Sequence, residues 1–378
     1  MRPATLEFIK QQFTGYYQRV YPVTPDALLQ REWGFIFFDA GREVRMRRHL
    51  AFGERQELTE YLKTMVPAHV FYSSAYYESP GAPTMAEKGW SGADLIFDLD
   101  ADHIMHGSYQ AMLARVKEEV QKLLAVLTDE LGFSEKYCEV VFSGGRGYHI
   151  HVNDLAVRSW GSAERREVVN YVCGIGLDPG LLIRAGTDLS TGWPRRYLGA
   201  LDGYLAWLKV KNQKDALLHL SSIKGVSRSS AAGLLKSLDQ VRATIGGDHP
   251  EKVLGDRVLR AVTTNDNPDW KKRLQETGVQ ADEPVTTDIK RLIRMPTSLH
   301  GGSGLRVVPL TISEVQEFDP LIDAVVFGDR DVQVTAEKTL TVSLLGNTYE
   351  VSAGTQTVPE AVAVFLCCRG LAEIAEGR

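Results

Sequence analysis

The chain has few cysteines, no long apolar run and no excess of basic charge. Its 378 residues include four cysteines, Cys138, Cys173, Cys367 and Cys368. None forms a CxxC pair or a Cys/His cluster with the spacing of zinc ligands. They read as small buried apolar residues, with no disulfide and no zinc expected. The longest apolar run, Ala361 to Cys368, has eight residues, far below the ~18–20 needed to span a bilayer. The N-terminus, MRPATLEFIKQQF, mixes polar and apolar residues from the start, unlike the apolar core of a signal peptide. The expectation is a cytoplasmic protein without a membrane segment. The formal net charge is −5 and the isoelectric point about 6.0, which lacks the basic footprint of a stand-alone nucleic-acid binder. Internal repeats and low-complexity segments are missing too.

What is present is the make-up of a globular enzyme, 44% hydrophobic and 24% charged. This length suits two domains, or one with a large insert. Basic residues gather locally in spite of the overall charge: Arg42, Arg45, Arg47 and Arg48, and again Lys290, Arg291 and Arg294. Such a cluster steers phosphates even on an acidic protein, although each also reads as a solvated face.

The chain reads as α/β (α+β). A helix is expected over 4–29, a strand over Trp33 to Asp39, and a turn and second strand over Gly41 to Phe52. A helix over 54–65 and a strand over His69 to Tyr77 follow. Next come a strand over Ala93 to Asp100, a helix over about Ser108 to Leu131, and strands Cys138 to Phe142 and Tyr148 to Val152 around the loop SGGRG. From Ala206 to Gln280 the β-branched alternation fades and helical patterns broken by Gly and Pro take over. This predicts a helical subdomain over 206–280 inserted into an α/β domain over 1–205 and 281–378. Within it, IKGVSRSSAAGLL faintly resembles a helix-hairpin-helix element, beside the plainer reading of an ordinary helix pair. The α/β pattern resumes at Asp282 and runs to a last helix over about Pro359 to Ala375.

Three stretches carry chemistry. In DLIFDLDAD, Leu95, Phe97 and Leu99 alternate with Asp98 and Asp100, so the two acids share one strand face. Strands are poor in Asp, and carboxylates this close repel, which favours a bound cation over a merely solvated face. In the loop Ser143-Gly144-Gly145-Arg146-Gly147, glycine lets backbone N–H groups approach a phosphate, and Arg146 adds a bidentate donor. His149, on the strand that follows, can face the same ligand. In DEPVTTDIKRLIRMPTSLHGGSG, an acid, Arg291, Arg294 and His300 suit a triphosphate with its metals; Asp282 and Asp288 are both open as that acid. Taken singly, each stretch also has a bland reading, as a polar strand face, a glycine hairpin, or a helix end with ordinary charges.

The order of these motifs, paired Asp, Ser-Gly-x-x-Gly-x-His, a distant Asp, then Arg and Ser-x-His, resembles the catalytic small subunit of archaeal/eukaryotic-type DNA primases. Further blocks carry the likeness across nearly the whole chain: REWGFI at Arg31, MRRHLAF at Met46, HVFYSSAYYESP at His69, KGWSGADLIFDLDADH at Lys88, RLIRMPTSLHG at Arg291, FDPL at Phe318 and VPEAVAVFL at Val358. The resemblance implies the archaeo-eukaryotic primase catalytic fold with mixed sheets. It also implies template-directed, metal-dependent synthesis of short primers on single-stranded DNA. By resemblance, Asp98, Asp100 and Asp282 hold Mg²⁺ or Mn²⁺, Asp282 because it stands eighteen residues before His300. Ser143, Gly144, Arg146, His149, Arg294 and His300 match nucleotide and phosphate contacts, and Arg31 an arginine at the nucleotide site. The implied partners are nucleoside triphosphates, the DNA template and a primase large subunit. A repair-type polymerase of the same superfamily and a non-catalytic replisome subunit are the alternatives; the C-terminal blocks oppose the first and the retained aspartates the second. In two places the chain departs from the pattern. ADHIMHGSYQAMLARVKEE, where many relatives place a zinc site, has His103 and His106 but no cysteine. Gly302 stands where many relatives have a lysine.

Overall fold

The computed structural model describes residues 1–38, 45–178, 182, 187–264 and 266–375. The Gly41–Arg45 turn and Arg42 of the first basic cluster fall almost wholly outside the described residues, as does the His103 side chain. The chain divides into two compact units. One comprises Met1–Leu124, Phe133–Arg166 and Ala281–Arg378, the other Ala125–Gly132 and Glu167–Gln280.

The first unit is built on two four-stranded sheets. One has the order β2-β1-β3-β9, from β1 (Trp33–Ile36), β2 (Met46–Leu50), β3 (His69–Ser73) and β9 (Leu292–Arg294). The other has the order β10-β7-β8-β6, from β6 (Leu95–Asp100), β7 (Cys138–Phe142), β8 (Gly147–Val152) and β10 (Val308–Leu310). Every ladder in them is antiparallel. Helices pack beside antiparallel sheets, the α+β arrangement expected. In β6, Leu95, Ile96, Phe97 and Leu99 are buried while Asp98 and Asp100 stay partly open. Leu95, Phe97 and Leu99 share one face and anchor the strand in the core, each worth about 1.5–3 kcal/mol on full burial. The two acids are thereby fixed on the opposite face. On β8, His149 and His151 share a face, with rings 6.1 Å apart.

Several elements differ from the sequence expectation. The first helix, Pro3–Arg19, stops well short of residue 29, because Pro22 and Pro25 remove donors just beyond it. β1 ends at Ile36, and Asp39 is outside the described residues. The 69–77 run is broken at Ser74 into β3 and a separate strand, Ala75–Tyr77, which pairs with Trp90–Ala93. The 108–131 helix is Tyr109–Ala125 followed by a π-helical turn, Val126–Glu130. The final helix is Glu360–Cys368; Gly370 at φ +66° follows, and Ala372–Ile374 returns as a strand against Asp331–Ala336.

The second unit is helical, with Trp193, Leu201, Tyr204, Leu205, Leu220 and Trp270 in its core. It ends at Gln280, where the helical insert was expected to end, but its main segment begins at Glu167 rather than Ala206. The Gly- and Pro-containing stretch between Gly174 and Pro194 masks the helical period of Gly192–Val210. The segment resembling a helix-hairpin-helix, Ile223 to Leu235, forms the turn between helices Gln213–Ser222 and Arg228–Ile245 and the first part of the second. Ser227 caps the second by accepting from the Ser230 N–H.

Candidate active site

A cleft of about 230 Å³ opens in the first unit between the two sheets, lined by Asp98, Asp100, Ser143, Arg146, His149, Arg291, Arg294 and His300, with Phe71 among its apolar walls. Strand pairing builds it. Register sets Asp98 opposite His149 and Asp100 opposite Gly147 in one sheet, and Arg294 opposite Phe71 in the other.

On the acidic side, the Asp98 side chain is 22% exposed and its Oδ1 lies 3.5 Å from His149 Nε2. Burial lifts the Asp98 carboxyl above the usual carboxylate range. The charges of Asp100 and Asp282 add to the lift, against His149 and Arg291. Asp282 stands beside the strand: its N–H donates to the Asp98 carbonyl at 2.9 Å. The β-branched run PVTT, Pro284 to Thr287, suits a strand entering the sheet beside Asp98, but the structure folds it as helix. Asp282 is the N-cap of a short helix, Glu283–Thr287, because Asp-Glu-Pro is a helix-start sequence. Its side chain makes no capping hydrogen bond, so the carboxylate is not spent on the helix. Asp288 is exposed, and its Oδ1 accepts from the Lys290 N–H at 2.9 Å.

On the cationic side, the Ser143–Arg146 turn is tied down from behind. The Tyr109 hydroxyl donates to the Gly145 carbonyl at 2.6 Å, and the Ser303 hydroxyl to the Gly144 carbonyl. Gly144 has φ +74°, and a Cβ there would sit 2.8 Å from the His300 Cβ. Gly144→Ala is therefore expected to raise the KM for nucleotide by about tenfold, since a left-handed residue costs roughly 1–2 kcal/mol; steady-state kinetics reads it. Arg146 pairs with Asp102 at the rim. The Arg294 guanidinium lies over the Phe71 ring, 5.0 Å from its centroid. Burial lowers its pKa to about 10, opposed by Asp98 and Asp100. Burial, then Arg294, His69 and Arg146, hold His300 far below the ordinary histidine value. His300 Nδ1 accepts from the Gly302 N–H at 3.1 Å, so the neutral ring carries its proton on Nε2.

The cleft thus joins Asp98, Asp100, Ser143, Arg146, His149, Arg294 and His300, with the Gly144 turn as its floor and Asp282 against Asp98. Arg31 is the exception. It is 2% exposed, forms an ion pair with Asp94 at 2.6 Å, and donates to the carbonyls of Ser73 and Ser74. Its guanidinium lies over the rings of Tyr76, 3.7 Å from the centroid, and Tyr72, 5.7 Å from the centroid. Arg31 is a core residue of this fold and does not line the cleft. Arg31→Met should lower the free energy of unfolding by about 3–5 kcal/mol, because Asp94 is left charged and buried; denaturant titration reads the loss, and the KM for nucleotide stays unchanged. Arg291, grouped in the sequence with the cations that suit a triphosphate, also lines the cleft; what reading the sequence missed is His69, whose place follows from strand pairing alone.

A larger hollow of about 1470 Å³ lies within the helical unit. Its Arg242 is already paired with Asp202 at 2.7 Å, and among the described residues no histidine lines it beside its acids and arginines. The chemistry favours the smaller cleft. A divalent ion fits the donors there: hard carboxylate oxygens whose mutual repulsion a cation relieves. Among the described residues, no three His, Cys, Asp or Glu side chains are already arranged as a closed ligand set.

The DNA primase small subunit family profile matches residues 97–312. A protein named DNA primase small subunit PriS from Methanoregula boonei is 58% identical over 99% of this chain and all of its own length. Its namesake from Methanocorpusculum labreanum is 51% identical over the whole of both chains. That from Methanospirillum hungatei is 49% identical over 99% of this chain and 98% of its own. Full-length identity at this level, on a chain whose acids and phosphate-seeking cations meet in one cleft, means that it belongs to the DNA primase small-subunit family and is a primase, a nucleotidyltransferase of DNA replication.

Proposed function

We propose that the cleft between β6–β8 and β9 is where this primase joins nucleotides, with Asp98, Asp100 and Asp282 as ligands of Mg²⁺ or Mn²⁺. Ser143, Gly144, Arg146, His149, Arg294 and His300 form the triphosphate cradle. A primase is a metal-dependent nucleotidyltransferase; when bound, divalent ions lower the pKa of the attacking 3′-hydroxyl and neutralise the triphosphate and departing pyrophosphate. The residues of the chain do the rest. Arg294 and Arg291 oppose the acids across the cleft with fixed positive charge. The Nε2–H of His300 is a neutral donor, and the Gly144 turn presents backbone amides. These groups are pre-organised, so they need no reorientation as charge moves along the phosphate chain. His149, against Asp98, orients that carboxylate.

The observation that carries this reading is the meeting of acids and cations in one cleft of about 230 Å³. Sites that engulf a whole drug-sized ligand measure about 300–1,000 Å³. This one suits the triphosphate and leaves the base outside, free to pair with a template. Sequence is then read by base pairing, and the protein needs no base-edge code.

The relatives are named small subunits, and a large subunit is the partner inferred for this chain. With a net charge of −5, the chain alone grips a polyanionic template weakly, and the partner would supply that hold. Among the described residues, no helix is long and apolar enough to cross a membrane. The test is primer synthesis on single-stranded DNA with labelled nucleoside triphosphates, with Mg²⁺ or Mn²⁺. Short labelled products that vanish with chelator support the reading; products unaffected by chelator contradict it.

A further inference from the structure

We infer that His69 is a positioning residue for the incoming triphosphate, holding the Arg294 guanidinium in place without cancelling its charge. The inference rests on the proposed role of Arg294 as a phosphate contact. His69 opens β3, and pairing of Phe71 with Arg294 brings it beside the end of β9. Its Nδ1 lies 2.7 Å from Arg294 Nη1. A guanidinium has donors only, so Nδ1 is the acceptor and the imidazole proton sits on Nε2. The Gly301 N–H points at the same atom, 3.3 Å away. One imidazole therefore ties the arginine to the turn that follows His300. The His69 ring also meets the His300 ring edge to face, with centroids 4.9 Å apart.

The choice of acceptor matters. An arginine is usually oriented by a carboxylate, which also neutralises it. Among the described residues, Arg294 has no carboxylate ion pair. It lies over the Phe71 ring and against a neutral imidazole. Burial, with Arg294 beside it, pushes the His69 pKa down to about 3, so the ring stays neutral and keeps its acceptor. The guanidinium is fixed on one side and remains a full cation toward phosphate. His69 does not line the cleft; it acts through Arg294.

The test is calorimetric binding of a non-hydrolysable nucleoside triphosphate with Mg²⁺ to the full chain, together with steady-state kinetics and thermal melts. His69→Leu fills similar volume without an acceptor. It should weaken binding and raise KM by about tenfold, the worth of a hydrogen bond to a charged group, with kcat changed less than about threefold. His69→Asn, which restores an acceptor near the Nδ1 position, should recover most of the affinity. His69→Asp holds Arg294 but neutralises it, and should bind as weakly as His69→Leu. In an Arg294→Gln background, His69→Leu should cost nothing further. If Arg294→Gln itself leaves binding unchanged, the proposed cradle fails, and this inference with it. If Arg294→Gln weakens binding but His69→Leu does not, or if their losses add in full, the inference alone fails. Should His69→Leu not fold, His69→Asp decides: affinity equal to wild type overturns the idea.

Discussion

Replacing Asp98 or Asp100 with alanine should lower kcat for nucleotide addition by about 10³-fold or more, roughly 4 kcal/mol of lost transition-state stabilisation, without unfolding the protein. The two halves of this expectation have separate causes. The anchors of β6 are Leu95, Phe97 and Leu99, all buried, and neither aspartate contributes to that core. Asp98 is an electrostatic liability in the fold alone: burial and the charges of Asp100 and Asp282 disfavour its ionised form. Alanine at Asp98 removes that repulsion, so thermal stability should hold or rise slightly; alanine at Asp100 also removes the acceptor of the Asp102 N–H at 3.0 Å, a loss of about 1 kcal/mol. Stability that does not suffer when activity collapses marks residues kept for function. A folded Asp98→Ala/Asp100→Ala protein that still extends primers at a near-normal rate would sink the assignment.

The second large effect separates two neighbouring acids. Asp282→Asn should lower kcat by about 10²–10³-fold, whereas Asp288→Asn should cost less than about threefold, as for other exposed charges. The backbone of Asp282 is hydrogen-bonded to Asp98, its side chain is not used in helix capping, and its charge is felt at Asp98. Asp288 is exposed and closes a local turn through the Lys290 N–H, and the acids that act most on Asp98 are Asp100 and Asp282. The comparison is made at saturating metal and nucleotide, so that altered binding does not masquerade as altered chemistry. A dead Asp288→Asn beside an active Asp282→Asn would move the third carboxylate to position 288.

The site was legible where local pattern determines it. Alternation in β6 is enough to put Asp98 and Asp100 on one face, and the Ser143–Gly147 motif falls where a turn must be. Asp282, which only the family resemblance preferred over Asp288, has its backbone against Asp98, although the element is a helix. β-Branched residues in PVTT suggested a strand, and the helix-start signal of Asp-Glu-Pro outweighed them. The illegible part is long-range. Arg31 was placed at the nucleotide site, yet it is neutralised by Asp94, 63 residues away. His69 and Arg294 stand 225 residues apart, and only the register of β3 on β9 brings them together. At the C-terminus, eight consecutive apolar residues announced a helix correctly, but its end is set by Gly370 and by an edge that Ala372–Ile374 fills. Charge partners and sheet edges belong to tertiary structure, and periodicity carries no record of them.

The central claim is that the carboxylates of this cleft hold the ions of nucleotidyl transfer. Crystals of the chain grown with Mn²⁺ and a non-hydrolysable nucleoside triphosphate test it most directly, through the anomalous scattering of manganese. The account predicts peaks within bonding distance of the Asp98 and Asp100 carboxylates, with the triphosphate running toward Arg294 and His300. Manganese and nucleotide bound instead in the hollow of the helical unit, with the Asp98 cleft empty, would contradict it.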